Sequence, residues 1–233
     1  MRHPALVRIT HWVTTIAFFA LLVTGVEILI SHPRFYWGET GNVNEQPLFS
    51  LPIPTSRSTI LNGYSITLPD QNGWSRYLHF EAAWVAVIAG LLYATFGFAR
   101  GHFRRNVLPA KDDLAPKTLL RDIARHMRAW NPGEDEASSY NVLQRVAYSL
   151  VIFVLFPLII WTGLDMSPAF TSVFPGAVTI LGGRQAARTL HFVVTILLVL
   201  FLVVHVAMVF LAGFRERVGA MITGRLPNSE ERA

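Results

Sequence analysis

Apolar residues gather in this chain into four long runs, roughly Ile9–Ile30, Leu78–Ala99, Val142–Leu164 and Thr189–Ala212, with polar segments between them. At about 1.5 Å of rise per residue, some 20 apolar residues cross a hydrocarbon core about 30 Å thick, and each run is long enough. Lipid offers no partner to backbone N–H and C=O groups, so each run is predicted to be a helix that satisfies its own. The pattern predicts one membrane domain over residues 1–233: four spanning helices, an outer loop 31–75, an inner loop 100–141, a short outer loop 165–185 and a tail 213–233. The long outer loop carries Pro33, Pro47, Pro52, Pro54 and Pro69, which oppose regular helix. Its aromatic residues suggest a lid packed on the outer face or a docking surface for an external subunit. In the inner loop, Leu119, Leu120, Ile123, Met127 and Trp130 recur at helical spacing opposite Lys117, Arg121, Arg125 and Arg128. That pattern predicts an amphipathic helix over Leu114–Trp130 lying on the inner leaflet.

Composition narrows the class. Of the 233 residues, 52% are hydrophobic and only 15% charged, and the mean hydropathy is +0.39. A water-soluble domain of this size needs more polar surface, so the fold class is all-α integral membrane. With no cysteine, disulfides, thiolate iron–sulfur ligation and covalent c-type haem attachment are excluded. The first run is too long for a signal-peptide core and lacks a small-residue cleavage site, so it is expected to be retained. The formal net charge of +5 does not point to nucleic acid, because the basic residues cluster beside the apolar runs. Fourteen of them fall on the side that holds both termini and the inner loop, against five on the other side. The positive-inside rule then puts both termini in the cytoplasm of a bacterial inner membrane.

Four of the eight histidines sit in or at the ends of the runs: His11, His79, His191 and His205. Ionisable groups inside a membrane are costly and are functional hypotheses by default. His191 and His205 are 14 residues apart in one run, which is almost four helical turns and about 21 Å of rise on a shared face. By depth, His11 and His205 lie toward the inner side, and His79 and His191 toward the outer side. Neutral imidazole is a good haem-iron ligand, and bundle cores are where such cofactors sit, so the economical reading is two bis-histidine b haems. Helix 3 has no histidine and is expected to pack and line the pockets. Thr24-Gly25, Gly90, Gly97 and Thr162-Gly163 offer small positions, suited to porphyrin approach or to close helix packing. Arg8, Arg76 and Arg188 flank these positions and are candidates to pair with haem propionates.

These residues carry a resemblance. Arg8-x-x-His11-Trp12 with Thr24-Gly25, His79 at the start of helix 2, Pro157 and Thr162 to Pro168 closing helix 3, and His191 with His205 resemble the prokaryotic cytochrome b561 family. That family includes the membrane cytochrome b subunits of nickel–iron hydrogenases, formate dehydrogenase-N and thiosulfate reductase. The resemblance implies a four-helix bundle holding one haem on His79 and His191 and another on His11 and His205. It also implies a quinone near the cytoplasmic side, because Tyr140-Asn141-Val142-Leu143-Gln144 stands where the formate dehydrogenase cytochrome has its Tyr-Asn-x-x-Gln motif. There Asn141 is placed to hydrogen-bond a quinone oxygen, or, in the plainer reading, to cap helix 3. Leu143 replaces a glycine of that motif. The implied partner is a periplasmic catalytic oxidoreductase subunit of molybdopterin or hydrogenase type.

The expected function is transfer of electrons across the membrane between that partner and quinone. One alternative is a stand-alone oxidoreductase that takes electrons from a small external reductant such as superoxide. Another, of a different class, is a haem-free anchor or transporter in which the histidines relay protons.

Overall fold

All four runs are helical in the computed structural model, which describes residues 4–42, 44–53, 72–109, 115 and 142–225. Helix α1 covers Ala5–Ser31 and α2 covers Asn72–Ala99. The third span, Val142–Asp165, is assembled from α3 (Val142–Leu150), a π-helical stretch (Val151–Leu155) and α4 (Phe156–Asp165). Two short helices follow, α5 (Pro168–Val173) and α6 (Pro175–Ile180), each opened by a proline whose missing N–H costs nothing in a first turn. The fourth span is α7 (Arg184–Leu211), and α8 (Phe214–Thr223) lies between the left-handed residues Gly213 and Gly224. All four spans are long and apolar enough to cross a membrane.

Large apolar side chains such as Ile16, Leu91 and Val203 stay exposed along the spans, while small residues such as Ala17, Ala82, Ala89, Ala186 and Ala187 are buried. That inversion suits helices whose solvent is lipid, where close backbone approach drives packing. The π-helical stretch has a local cause. Pro157 has no N–H to donate, and its ring crowds the carbonyl four residues back, so the widened turns just before it relieve the clash.

The chain forms two compact units. One comprises Met1–Thr10, Leu91–Pro157 and Thr195–Ala233; the other comprises His11–Gly90 and Leu158–Val194. In the first, Phe103 opens a π-helical turn (Phe103–Val107) after α2 and is buried among aromatic rings. Its ring centroid lies 5.3 Å from Tyr93, 5.0 Å from Phe98 and 5.1 Å from Phe153. Gly97 makes room for it: a Cβ there would stand 2.3 Å from Phe103 Cζ. Gly97 is therefore a packing position for an aromatic ring of its own unit. The hydroxyl of Ser149 donates to the Val107 carbonyl at 3.3 Å and so ties α3 to the same turn. In this unit too, the Arg8 guanidinium donates to the Ile222 carbonyl in the last turn of α8, where carbonyls lack helical partners and the dipole is negative.

The second unit is built around the start of α7. Strands β1 (Arg34–Phe35) and β2 (Phe49–Ser50) pair antiparallel, Arg34 with Ser50 and Phe35 with Phe49. Phe35 stacks on Phe49 at 4.7 Å and packs, tilted by 34°, against Phe192 of α7 at 4.5 Å. The loop also caps the helix. The Gly38 carbonyl accepts from Gln185 N (2.9 Å) and Ala186 N (3.2 Å), and Glu39 Oε2 accepts from Arg184 N (3.1 Å). These are the orphan donors of a helix N-terminus, satisfied by a segment about 150 residues away in the chain. Gly183 permits the approach: its φ is +111°, and a Cβ would meet the Gly38 carbonyl carbon at 2.4 Å. Thr189 completes the seam by donating to the Tyr36 carbonyl at 2.7 Å.

Three sequence expectations fall beyond what is described. The amphipathic stretch Leu114–Trp130 lies, Ala115 apart, outside the described residues, as do residues 54–71 of the outer loop and the tail past Arg225.

Two outcomes follow for stability. Gly97→Ala overpacks a pinned aromatic cluster and is expected to lower stability by about 1–3 kcal/mol, the usual range for an added methyl in a full core. Gly90→Ala, where an added Cβ meets nothing within 4 Å, serves as the neutral control in thermal unfolding of the detergent-solubilised protein. His102, beyond the end of α2, pairs its Nδ1 with Asn106 Nδ2 at 3.0 Å. Burial, and after it the Arg105 guanidinium, hold the imidazole below its ordinary range. The folded state then binds this proton less well than the unfolded chain. Stability contributed here is present above about pH 6.5 and is lost as pH falls below it. His102→Gln should flatten that part of the pH–stability curve.

Candidate functional site

Of the four spanning histidines, His79 and His191 meet inside the second unit. Their ring centroids are 6.4 Å apart with the planes inclined by 59°. Two imidazole–metal bonds of about 2 Å each, extended by the rings themselves, need a separation of about 6 Å. Packed aromatic rings also fall in that range, so the distance alone does not decide between the two arrangements.

The hydrogen bonds decide what the rings can present. Thr24 Oγ1 of α1 lies 2.9 Å from His79 Nδ1, and Thr162 Oγ1 of α4 lies 3.0 Å from His191 Nδ1. A threonine hydroxyl has one hydrogen to give. Thr24 gives it to the Ala20 carbonyl at 2.7 Å, and Thr162 to the Leu158 carbonyl at 2.8 Å. Each hydroxyl therefore accepts from the imidazole, and each Nδ1 carries the proton. With Nδ1–H engaged, Nε2 of a neutral ring carries the lone pair. Two such nitrogens are the kind of donors that could hold a haem iron.

The glycine after each threonine faces the same ring. A Cβ on Gly25 would meet His79 Cε1 at 3.7 Å, and one on Gly163 would meet His191 Cε1 at 3.4 Å. Both Thr-Gly dipeptides thus do the same thing, and helix 3, which has no histidine, serves the site through one of them. In the sequence these dipeptides stand out as small residues and as part of the family resemblance. The signal for their hydrogen-bonding role was the repetition of Thr-Gly in two different spans.

His11 belongs to the second unit and His205 to the first. His205 stacks on Phe201 at 5.7 Å with 20° between the planes and takes Tyr148 edge-on at 6.2 Å. His11 lies edge-on to Trp12 at 5.3 Å. Both are half-buried, on α7 and α1 respectively.

The flanking arginines divide. Arg188 donates to the carbonyls of His32 and Arg34 and lies 5.0 Å over the Phe35 ring, so its guanidinium holds the outer loop on α7. Arg8 reaches Ile222, yet its buried Nε has no hydrogen-bond partner among the described residues, which leaves one donor for an anionic group. Arg76 is exposed on α2. Gln144 lies half-buried in the first turn of α3, and Asn141 lies outside the described residues. Asp165 stands in the segment that closes helix 3. It is fully buried, one turn beyond Thr162.

The family model described as prokaryotic cytochrome b561 matches residues 2–224. The chain is 30% identical over 212 residues to the putative protein-methionine-sulfoxide reductase subunit YedZ1 of Azospira oryzae, covering 89% of each chain. No solved structure matches. Four membrane-crossing helices, a facing pair of imidazoles with their Nδ1 protons engaged, and a family match along nearly the whole chain lead to one conclusion: the chain belongs to the prokaryotic cytochrome b561 family, helical membrane proteins that carry electrons on haem b.

Proposed function

We propose that this chain is a dihaem cytochrome b that passes electrons across the bacterial inner membrane between a periplasmic oxidoreductase and a quinone near the cytoplasmic side. The observation that carries it is the His79–His191 pair, facing each other inside one unit with a threonine hydroxyl at each Nδ1. Haem iron, when bound, supplies the one-electron oxidation and reduction. The chain supplies ligation, ring orientation and exclusion of water. His79 and His191 would hold the outer haem, His11 and His205 the inner one. Support for the inner pair comes from sequence: His205 follows His191 by fourteen residues on one unbroken helix, and His11 stands near the cytoplasmic end of α1.

Arg8, with its spare buried donor, is assigned to a propionate, and Arg76 is the corresponding candidate at the outer end. Arg188, bonded to two loop carbonyls, would contribute there only by sharing its guanidinium. The quinone end rests on the Tyr140–Gln144 sequence, with Asn141 and Gln144 as its polar contacts. Support for an external partner comes from the relative, whose name makes it a subunit of a protein-methionine-sulfoxide reductase. A molybdopterin- or hydrogenase-type catalytic subunit fits the role. The cytoplasmic placement of both termini rests on the distribution of arginine and lysine.

Protein purified from haem-sufficient cells is expected to carry about two b haems per chain, one per histidine pair, by pyridine haemochrome assay. His191→Ala and His79→Ala should each reduce that to about one, as should His205→Ala. Two haems retained in His191→Ala would sink the pairing, and a colourless wild-type preparation would sink the whole reading. Affinity purification from native membranes should bring down a periplasmic oxidoreductase.

A further inference from the structure

We propose that Thr24 and Thr162 are matched positioning residues that set the electron-donating strength of the outer haem's two axial imidazoles, and with it that haem's reduction potential. The inference rests on the reading of His79 and His191 as ligands. The two sites share one local plan. In each, a threonine on a helix that supplies no ligand to this pair accepts from Nδ1 of the ligand on a neighbouring helix. In each, the hydroxyl is spent on the carbonyl four residues back, with the carbonyl three residues back in reach at 3.2 Å for Thr24 and 3.1 Å for Thr162. In each, a glycine follows and lets the ring lie against the helix. Both threonines are fully buried.

A serine or threonine in an apolar helix commonly turns its hydroxyl onto its own backbone, and one such contact would carry no message. Two in the same register, both ending on the ring nitrogen that must keep its proton for the other to bind iron, form a device. A hydroxyl that already donates is polarised and accepts more strongly. It draws the Nδ1 proton toward itself and so raises the basicity of Nε2. A more basic ligand favours ferric over ferrous iron, which lowers the potential. The acceptor is a neutral hydroxyl, so the effect is a moderate one, short of what a carboxylate would impose on the same nitrogen.

The test is a redox titration of the haem-loaded, full-length protein, followed at the α-band, on Thr24→Val, Thr162→Val, the double variant, and Thr24→Ser with Thr162→Ser. Valine keeps the shape and removes the acceptor. Each valine variant is expected to shift one of the two haem transitions to higher potential and leave the other in place. The double variant should shift it further, and the serine variants should restore it, all with low-spin six-coordinate spectra. Valine variants that keep two haems and both wild-type potentials would overturn the proposal and leave the ligation reading standing. Two haems retained in both His79→Ala and His191→Ala would overturn the ligation reading itself. Should the valine variants not assemble, pulsed EPR of the ferric wild-type protein reads the remote ring nitrogen directly. A quadrupole coupling equal to that of an imidazole with no hydrogen bond would overturn the proposal, and a reduced coupling that the serine variants keep would support it.

Discussion

An imidazole held inside an apolar bundle has two nitrogens to satisfy, and only one of them can go to a metal. The other must find an acceptor or carry the cost of a buried, unpaired N–H. Much of the second unit answers that requirement. Helices α1 and α4 each bring a threonine oxygen to an Nδ1, and each can do so because the following residue has no side chain to hold the helix away. The ring orientations, the placement of small residues and the usefulness of a helix without histidine all follow from the chemistry of one nitrogen.

The same economy governs the N-terminus of α7. A helix that starts among apolar residues leaves several N–H groups without partners. Here the outer loop supplies the acceptors, through Gly38 and Glu39, while Arg188 and Thr189 take hold of its carbonyls in return. Two turns along that helix stands His191. The loop and the start of the helix that bears His191 thus belong to one hydrogen-bonded body, and Phe35 packs on Phe192 beside it.

Much of this was legible from residue order. Four apolar runs were bound to be helices because lipid leaves no other choice, and histidines inside them stood out because such groups are expensive there. The family resemblance read from those residues agrees with the match over residues 2–224. What was hidden depended on where side chains end up. Gly97 looked the same as Gly25 in the sequence, yet one makes room for Phe103 and the other for an imidazole. Arg188 next to a ligand suggested a carboxylate partner, whereas two loop carbonyls and an aromatic face hold it. No periodicity announces that Glu39 will cap a helix beginning at Arg184. The π-helical stretch before Pro157 breaks the phase of the third run, so a 3.6-residue reading begun at Val142 loses its face before it reaches Thr162.

The cap on α7 also has a consequence for biosynthesis. Its acceptors leave the ribosome about 150 residues before the donors they serve. Through all of that synthesis Gly38 and Glu39 wait without their helix, and the contact closes only when the last span has been threaded. Contacts so distant along the chain carry a loop-closure cost that nearby ones avoid. Closure of this seam therefore marks the moment when the bundle is complete, and until then His191 has no fixed post.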